Sequence, residues 1–369
     1  MLRLPQFHRL KFTAPVELPL LSIIIPACNE AANIERSVES LLRQDYRDFE
    51  IILVDDRSTD GTGEIIDRLA RREPRICALH VKTLPKGWLG KVHALERGVE
   101  VARGDWFLFS DADVHFGAGT LSRAVGWATV SGIDHLALAP LVVQQSVLLD
   151  IVVHAFMLLF VIGTGAAGVN RPSSRAFAGV GAFNLVRRKA FQRTPGFPWL
   201  RLEPCDDVGL GLMVKRAGGR AFFAFAQEHL TVAWYPSVAA MFKGLEKNLF
   251  GSTANYRWWL TAIETLVICT LAAAPTAAVV VGLSKGRGLL FSAGLIAFAL
   301  HCAFSFCTTT QGWRSRVSLL FAPLGLLMIG AMMVHATWKC LAQGGIDWRG
   351  TRYPLEQLRA GQRVKLLSK

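Results

Sequence analysis

"EIILVDDRSTDGT", Glu50 to Thr62, joins an apolar run of buried-strand composition to two carboxylates, a cluster of turn formers and the start of a helix. The helix keeps Ile65, Ile66 and Leu69 on one side. Upstream the same unit occurs once more: "LSIIIP" at Leu21 to Pro26 reads as a strand, and Ile34, Val38, Leu41 and Leu42 follow at helical spacing. Downstream, "ICALHV" at Ile76 to Val81 is a third strand. After "PKGWLGK" comes a helix on Leu95, Val99 and Ala102, and then "DWFLFSDAD". This alternation predicts an α/β fold, a mostly parallel sheet with helices on both faces. Ligands of such sheets sit beyond the C-terminal ends of the strands.

Three of these strands end in polar or acidic groups: Pro26, Asn29 and Glu30 after the first, Asp55 and Asp56 after the second, Asp111 and Asp113 after the fourth. All three ends should lie on one edge of the sheet. An acidic edge repels a bare phosphate, so an anionic ligand there needs a cation between. Side chains one residue apart on an extended segment point to the same side. Asp111 and Asp113 can therefore hold a Mg²⁺ or Mn²⁺ jointly, with the oxygens of a nucleoside diphosphate as further ligands. A D-x-D taken alone is a weak signal, because acidic residues often cap strands in solvated turns. Asp55 and Asp56 either cap a turn or accept a hydrogen bond from a nucleobase or ribose, and Asn29 and Glu30 also suit a helix start.

The chain is 51% hydrophobic with a mean hydropathy of +0.33, which calls for a membrane portion. Apolar runs at Leu260 to Leu283, Gly288 to Phe306 and Val317 to Trp338 approach the roughly 20 residues of a membrane-crossing helix. Trp258, Trp259, Trp313 and Trp338 sit at their ends, where indole rings favour the headgroup level. The N-terminus has no continuous apolar segment of signal-peptide type, which places the preceding region in the cytoplasm. Leu2, Leu4, Phe7 and Leu10, interleaved with Arg3, His8, Arg9 and Lys11, suit either a membrane-surface segment or a disordered tail. The net charge of +13 fits an anionic membrane face better than nucleic acid, for which no recognition motif is present. After the last run the chain is basic, with Lys339, Arg349, Arg352, Arg359, Arg363, Lys365 and Lys369. Three crossings put this tail opposite the catalytic region, whereas its charge argues for the cytoplasmic side; one run is re-entrant or the count is wrong. Seven scattered cysteines without a C-x-x-C pair suggest neither a zinc site nor a disulfide framework.

The ordered motifs "SIIIPACNE", "IILVDDRSTDGT", "GWLGKVHAL", "LFSDADV" and "DDVGLGLMVKRAG" resemble those of the family 2 glycosyltransferases, over more than half the chain. That resemblance implies the GT-A fold. The apolar C-terminal runs are further similar to the membrane-bound branch that glycosylates lipids, including hopanoid-associated, carotenoid and ceramide glycosyltransferases. By resemblance Pro26, Asn29, Glu30, Asp55, Asp56 and Asp111 line the nucleotide-sugar pocket, with Lys91 near the diphosphate. Asp111 and Asp113 hold the metal, and the acidic dyad Asp206 and Asp207 supplies the catalytic base, Asp207 foremost. A base taking the proton of an acceptor hydroxyl must be an ionised carboxylate in place, which an Asp supplies at neutral pH. Asp206 and Asp207 also suit the cap of a helix with Leu210, Val214 and Ala217 on its core face.

Processive members carry Q-x-x-R-W after the base, whereas this chain reads "WYPSVAAMFKGLEKNLFG". Lys243 and Lys247 are either diphosphate ligands in its place or solvated helix charges. The expectation is transfer of one sugar, from a nucleotide-diphosphate donor such as a UDP-sugar to a lipid acceptor, at the cytoplasmic face of the inner membrane. A processive polysaccharide synthase and a silent nucleotide-sugar-binding scaffold are the alternatives. The expected layout is an N-terminal segment over 1–20, a GT-A domain over 21–257, a multi-pass transmembrane region over 258–338 and a basic tail over 339–369. Within the GT-A domain the apolar stretch near 147–168 is read as an interfacial helix, since a crossing there would separate Asp113 from Asp207.

Overall fold

The strands β1 (Leu21–Ala27), β2 (Phe49–Asp56), β3 (Ile76–Val81) and β4 (Trp106–Phe109) form a parallel block in the order β3-β2-β1-β4. The computed structural model describes residues 4–11, 18–143, 146–308 and 320–366. The sheet continues through β8 (Asn184–Arg187), β6 (His135–Ala139) and β9 (Ala221–Phe225), where β8 alone runs antiparallel. Ile23, Ile25, Ile51 and Leu53 face a core shared with α1 (Ile34–Leu42), α2 (Thr62–Arg72) and α4 (Thr120–Val130). Ile24, Ile52 and Val54, one residue out of phase, face α3 (Gly90–Val101) and α6 (Asp206–Arg216). Burial of both faces explains why these strands read as unbroken apolar runs. The architecture is GT-A-like: a mostly parallel sheet with flanking helices, followed by apolar helices.

A second sheet pairs β5 (Val114–Phe116) with β10 (Leu230–Val232), and β10 with β7 (Leu141–Val142). This corrects one sequence expectation. Asp111 to Asp113 are not extended strand; they form the turn where the chain leaves β4 for β5. Ala112 is buried in the core between them, so the turn still presents both carboxylates on one side.

The N-terminal segment also differs. Leu4 and Phe7 are buried against the domain built on the large sheet rather than laid on a membrane surface. Phe7 stacks edge-on to His229 at 5.0 Å, and the Phe225 amide donates to the Pro5 carbonyl at 2.9 Å. Leu2 and Arg3 lie outside the described residues.

Among the described residues three helices are long and apolar enough to cross a membrane: α5 (Val147–Thr164), α8 (Trp258–Ser284) and α10 (Ala322–Gln343), while α9 (Gly288–Thr308) has a shorter apolar stretch. Residues 309–319, including Trp313 and the start of the expected third run, lie outside the described residues. α8 and α10 run antiparallel, with a Thr261–Thr337 hydroxyl contact at 2.9 Å at one end and Gly330 beside Thr265 and Cys269 further along. Leu266, Leu271 and Val280 of α8 are exposed, as are Trp258 at its start and Trp338 near the end of α10. α5 packs its first half on Met241, Leu245 and Leu326, and its second half on Ala137 and Phe223 of the large sheet. The helix thus links α10 to the large sheet.

The region after α10 is not a loose tail. A hairpin of β11 (Gly345–Trp348) and β12 (Thr351–Pro354) leads into α11 (Leu355–Gly361), and Ile346, Tyr353 and Leu358 bury in the core that holds Leu89, Val92 and Leu95. The start of α8 and the chain beyond α10 therefore meet the same domain.

Candidate active site

The C-terminal ends of β1, β2 and β4 open onto a cavity of about 220 Å³ lined by Pro26, Glu30, Asp56, Lys91, Asp111 and Asp113, with Trp234, Tyr235, Lys247, Trp348 and Arg349 closing its other side. Pro26, Lys91 and Asp111 also border a narrow extension holding Gly181, Asn184, Asp206 and Asp207. Lys91, at the start of α3, joins the two spaces. Its Nζ lies 2.8 Å from Asp111 Oδ1 and 3.4 Å from Asp206 Oδ2. Burial disfavours a charged lysine, yet Asp111 and Asp206 hold its pKa above the ordinary range. Burial would raise Asp111, but Lys91 keeps it below the ordinary carboxylate value.

Asp207 sits in the first turn of α6. Its Oδ2 accepts the Gly181 amide at 2.9 Å and its Oδ1 accepts the Val208 amide at 2.8 Å. Burial, and next the charge of Asp206, push its pKa up to about 6. Burial also raises Asp206, with Lys91 offsetting part of the effect. The α6 start therefore acts as both cap and carboxylate mount, so the two readings of this pair coincide.

Asp113 is pushed up to about 7 by burial and then by the charges of Asp111 and Glu30. A divalent cation against Asp111 and Asp113 would relieve that crowding, so the donor set fits one. Among the described residues no group of three His, Cys, Asp or Glu side chains forms a metal site by itself. The remaining ligands would be substrate or water oxygens, the usual arrangement for Mg²⁺.

Two of the expected pocket residues are placed otherwise. Asn29, with φ +58°, turns its Oδ1 to the Thr59 amide at 2.8 Å. Asp55 receives the Ser58 amide at 3.1 Å and contacts His80 Nδ1 at 3.1 Å. Asn29 ties the loop after β1 to the loop after β2, Asp55 ties the end of β2 to its own loop and to β3, and neither lines the cavity. Asp56 does line it, bound on both oxygens by Arg57. Lys247 faces the cavity, whereas Lys243 is not among its lining residues. His154, on α5, contacts the Asp150 carbonyl at 2.7 Å and is not among the cavity's lining residues.

Trp234, Tyr235, Trp348 and Arg349 were not reached by sequence reasoning. "GIDWRGTRYP" does carry a signal, two short alternating runs around Arg349 and Gly350. Nothing local says that this hairpin meets β1.

Residues 22–194 match the family model for "Glycosyl transferase family 2". The chain carries a glycosyltransferase family 2 domain. That domain holds β1 to β4 and the D-x-D turn, while Asp206 and Asp207 lie beyond the matched residues. Glycosyltransferase GlyG of Streptococcus pneumoniae serotype 4 is 38% identical over 94 residues, 26% of this chain and 30% of that protein. The glycosyltransferase EpsJ of Bacillus subtilis is 37% identical over 117 residues, 32% of this chain and 33% of its own. A PGL/p-HBAD biosynthesis glycosyltransferase of Mycobacterium bovis is 38% identical over 110 residues, 30% of this chain and 41% of that one. The chain thus spans well under half the length of these relatives. Among solved structures, the mannosyltransferase PcManGT from Pyrobaculum calidifontis, in complex with GDP-Man and Mn²⁺, aligns over 91% of this chain and 92% of its own, with 18% identity and a TM-score of 0.48.

Proposed function

We propose that the chain is a membrane-anchored, metal-dependent, inverting glycosyltransferase that moves a single sugar from a nucleotide-diphosphate donor to a lipid acceptor at the cytoplasmic face of the inner membrane. The observation that carries this reading is Lys91, whose ammonium holds the D-x-D residue Asp111 and the dyad residue Asp206 in one site. A donor whose diphosphate lies toward Asp111 and Asp113 presents its anomeric carbon toward Asp207. The aromatic wall of Trp234 and Tyr235 suits an apolar acceptor, and Phe156 of α5 packs on Trp234 from behind with ring centroids 4.8 Å apart.

Asp207 takes the proton from the acceptor hydroxyl as its oxygen attacks the anomeric carbon. The two amides that fix its carboxylate limit it to one orientation. Its pKa of about 6 makes it a stronger base than an ordinary aspartate while leaving it ionised at neutral pH. Lys91 holds Asp111 in place and adds positive charge near the departing diphosphate. Asp111 and Asp113 would hold Mg²⁺ or Mn²⁺, which when bound neutralises charge on the leaving group.

The test is turnover by the full chain in detergent with a panel of UDP- and GDP-sugars, Mn²⁺ or Mg²⁺, and a bacterial lipid extract. Release of diphosphate with one donor, a new glycolipid bearing one sugar, and loss of both in Asp207→Asn are expected. A ladder of products would assign a polymer synthase instead, and donor binding without release would assign a binding scaffold.

A further inference from the structure

The cavity holds more cationic side chains than its carboxylates engage, and two of them depend on the hairpin that follows α10. Arg349 stands at the hairpin tip with φ +49°, followed by Gly350 at φ +75°. Two successive left-handed residues make the tight two-residue turn that Asn-Gly adopts readily and Arg does not. The hairpin stem is fixed: Ile346 and Tyr353 are buried, and Arg57 Nη1 reaches Thr351 Oγ1 at 3.3 Å. The strained turn is therefore held where it directs a guanidinium into the cavity. There Arg349 donates to the Cys28 carbonyl and, at 3.1 Å, to Glu30 Oε1. These contacts engage two N–H groups of a fork that has five donors.

Lys247 is the second cation. It lines the same cavity, its Nζ 4.3 Å from the ring centroid of Trp348, the residue before Arg349. Burial, and then the neighbouring charges of Lys91 and Arg349, push its pKa down to about 8, so it carries charge at neutral pH. Asp56 is satisfied by Arg57, and Lys91 by Asp111 and Asp206. Arg349, which is paired with Glu30 but keeps unused donors, and Lys247, which has no ion-pair partner among the described residues, face the space in which a donor's phosphates must lie.

We propose that the β11–β12 hairpin is a leaving-group clamp, in which Arg349 binds the donor diphosphate and Trp348 steadies Lys247 beside it. The inference rests on the glycosyltransferase reading above and assigns within it a binding role to residues beyond the last apolar helix. A planar fork recognises diphosphate oxygens in pairs, which a monophosphate exploits less fully.

The experiment measures binding of UDP, GDP, UMP and GMP to the full chain in detergent with Mn²⁺, by equilibrium dialysis. Arg349→Asn suits the left-handed turn and removes the guanidinium, its charge and its contacts to Cys28 and Glu30, without straining the backbone. It should weaken the preferred diphosphate about tenfold or more, as loss of hydrogen bonds to a charged group does, and the matching monophosphate much less. Arg349→Lys should recover part of the loss, and Trp348→Ala should weaken the diphosphate in the same sense. Unchanged diphosphate binding in Arg349→Asn, at an unchanged melting temperature, overturns the clamp while leaving the enzyme reading intact. Equal weakening of diphosphate and monophosphate overturns it as well, by placing Arg349 on the nucleoside. Failure of the unaltered chain to bind any of the four ligands overturns both readings.

Discussion

Gly181 donates its amide to Asp207 Oδ2 at 2.9 Å and at the same time lies flat against Asp111, so that a Cβ at this position would stand 2.4 Å from Asp111 Oδ2. One residue without a side chain sets the spacing between the proposed base and the D-x-D turn. Gly181→Ala must displace the Asp111 carboxylate from its place beside Lys91. Since a misplacement near 1 Å can cost about a hundredfold in rate, a fall of that order in turnover is expected, with near-normal melting. Steady-state diphosphate release and a thermal scan on the same preparation check it; wild-type turnover would contradict the spacing argument.

The pH dependence follows from Asp207. Its pKa is raised to about 6, so the carboxylate is protonated and inactive below that value, and turnover should rise with pH through about 6 before levelling. Asp206 contributes to the rise by repulsion. Replacing it by Asn removes that charge, and the acid limb should move to lower pH even if the maximal rate falls. An unmoved limb would mean that another group titrates in the profile.

What could be read from the chain alone was what is local in it. Each of the first, second and fourth strands carries its own polar terminus, and their parallel pairing gathers Pro26, Glu30, Asp56, Asp111 and Asp113 at one sheet edge. Asn29 and Asp55 belong to the same motifs, but Asn29 is used to bind the two loops together and Asp55 to hold its own loop and His80, and a motif does not say which of its polar side chains turns toward the ligand. Arg349 is harder still. It reaches the Cys28 carbonyl across 321 residues of chain, after the apolar helices have left and returned. No periodicity encodes that contact, because the docking of Ile346 and Tyr353 in a distant core decides it.

The packing of α5 against α10 is close at Gly325, where a Cβ would come 2.5 Å from the Ile151 carbonyl and 2.9 Å from the Ala155 Cβ. Gly325→Ala cannot be met by a rotamer change, because one obstacle is backbone. Forcing a methyl into a packed contact costs about 1–3 kcal/mol. A lower melting temperature in detergent is expected, with little change in diphosphate binding, since among the described residues none of α5 lines the donor cavity. A melting temperature equal to that of the unaltered chain would show that the two helices slide apart freely.

Glu203 joins the C-terminal segment to the proposed base. Its Oε2 accepts the amides of Arg363 and Val364 at 2.7 and 2.8 Å, and its Oε1 accepts the amide of Cys205, just before α6, at 3.1 Å. The side chain is 2% exposed, so these three amides have no water to turn to when it is removed. Each buried group left without a partner costs about 1–3 kcal/mol, so Glu203→Ala should be strongly destabilised and Glu203→Gln, which retains one acceptor oxygen, less so. Because the same carboxylate positions the start of α6, Glu203→Gln should also lower turnover more than it lowers diphosphate affinity. Hydrogen exchange at residues 363–366 and at the first turn of α6 would report the two ends of this link. Protection lost at both in Glu203→Gln is the expected result, and loss confined to 363–366 would show that α6 holds Asp207 in place without help from the C-terminal segment.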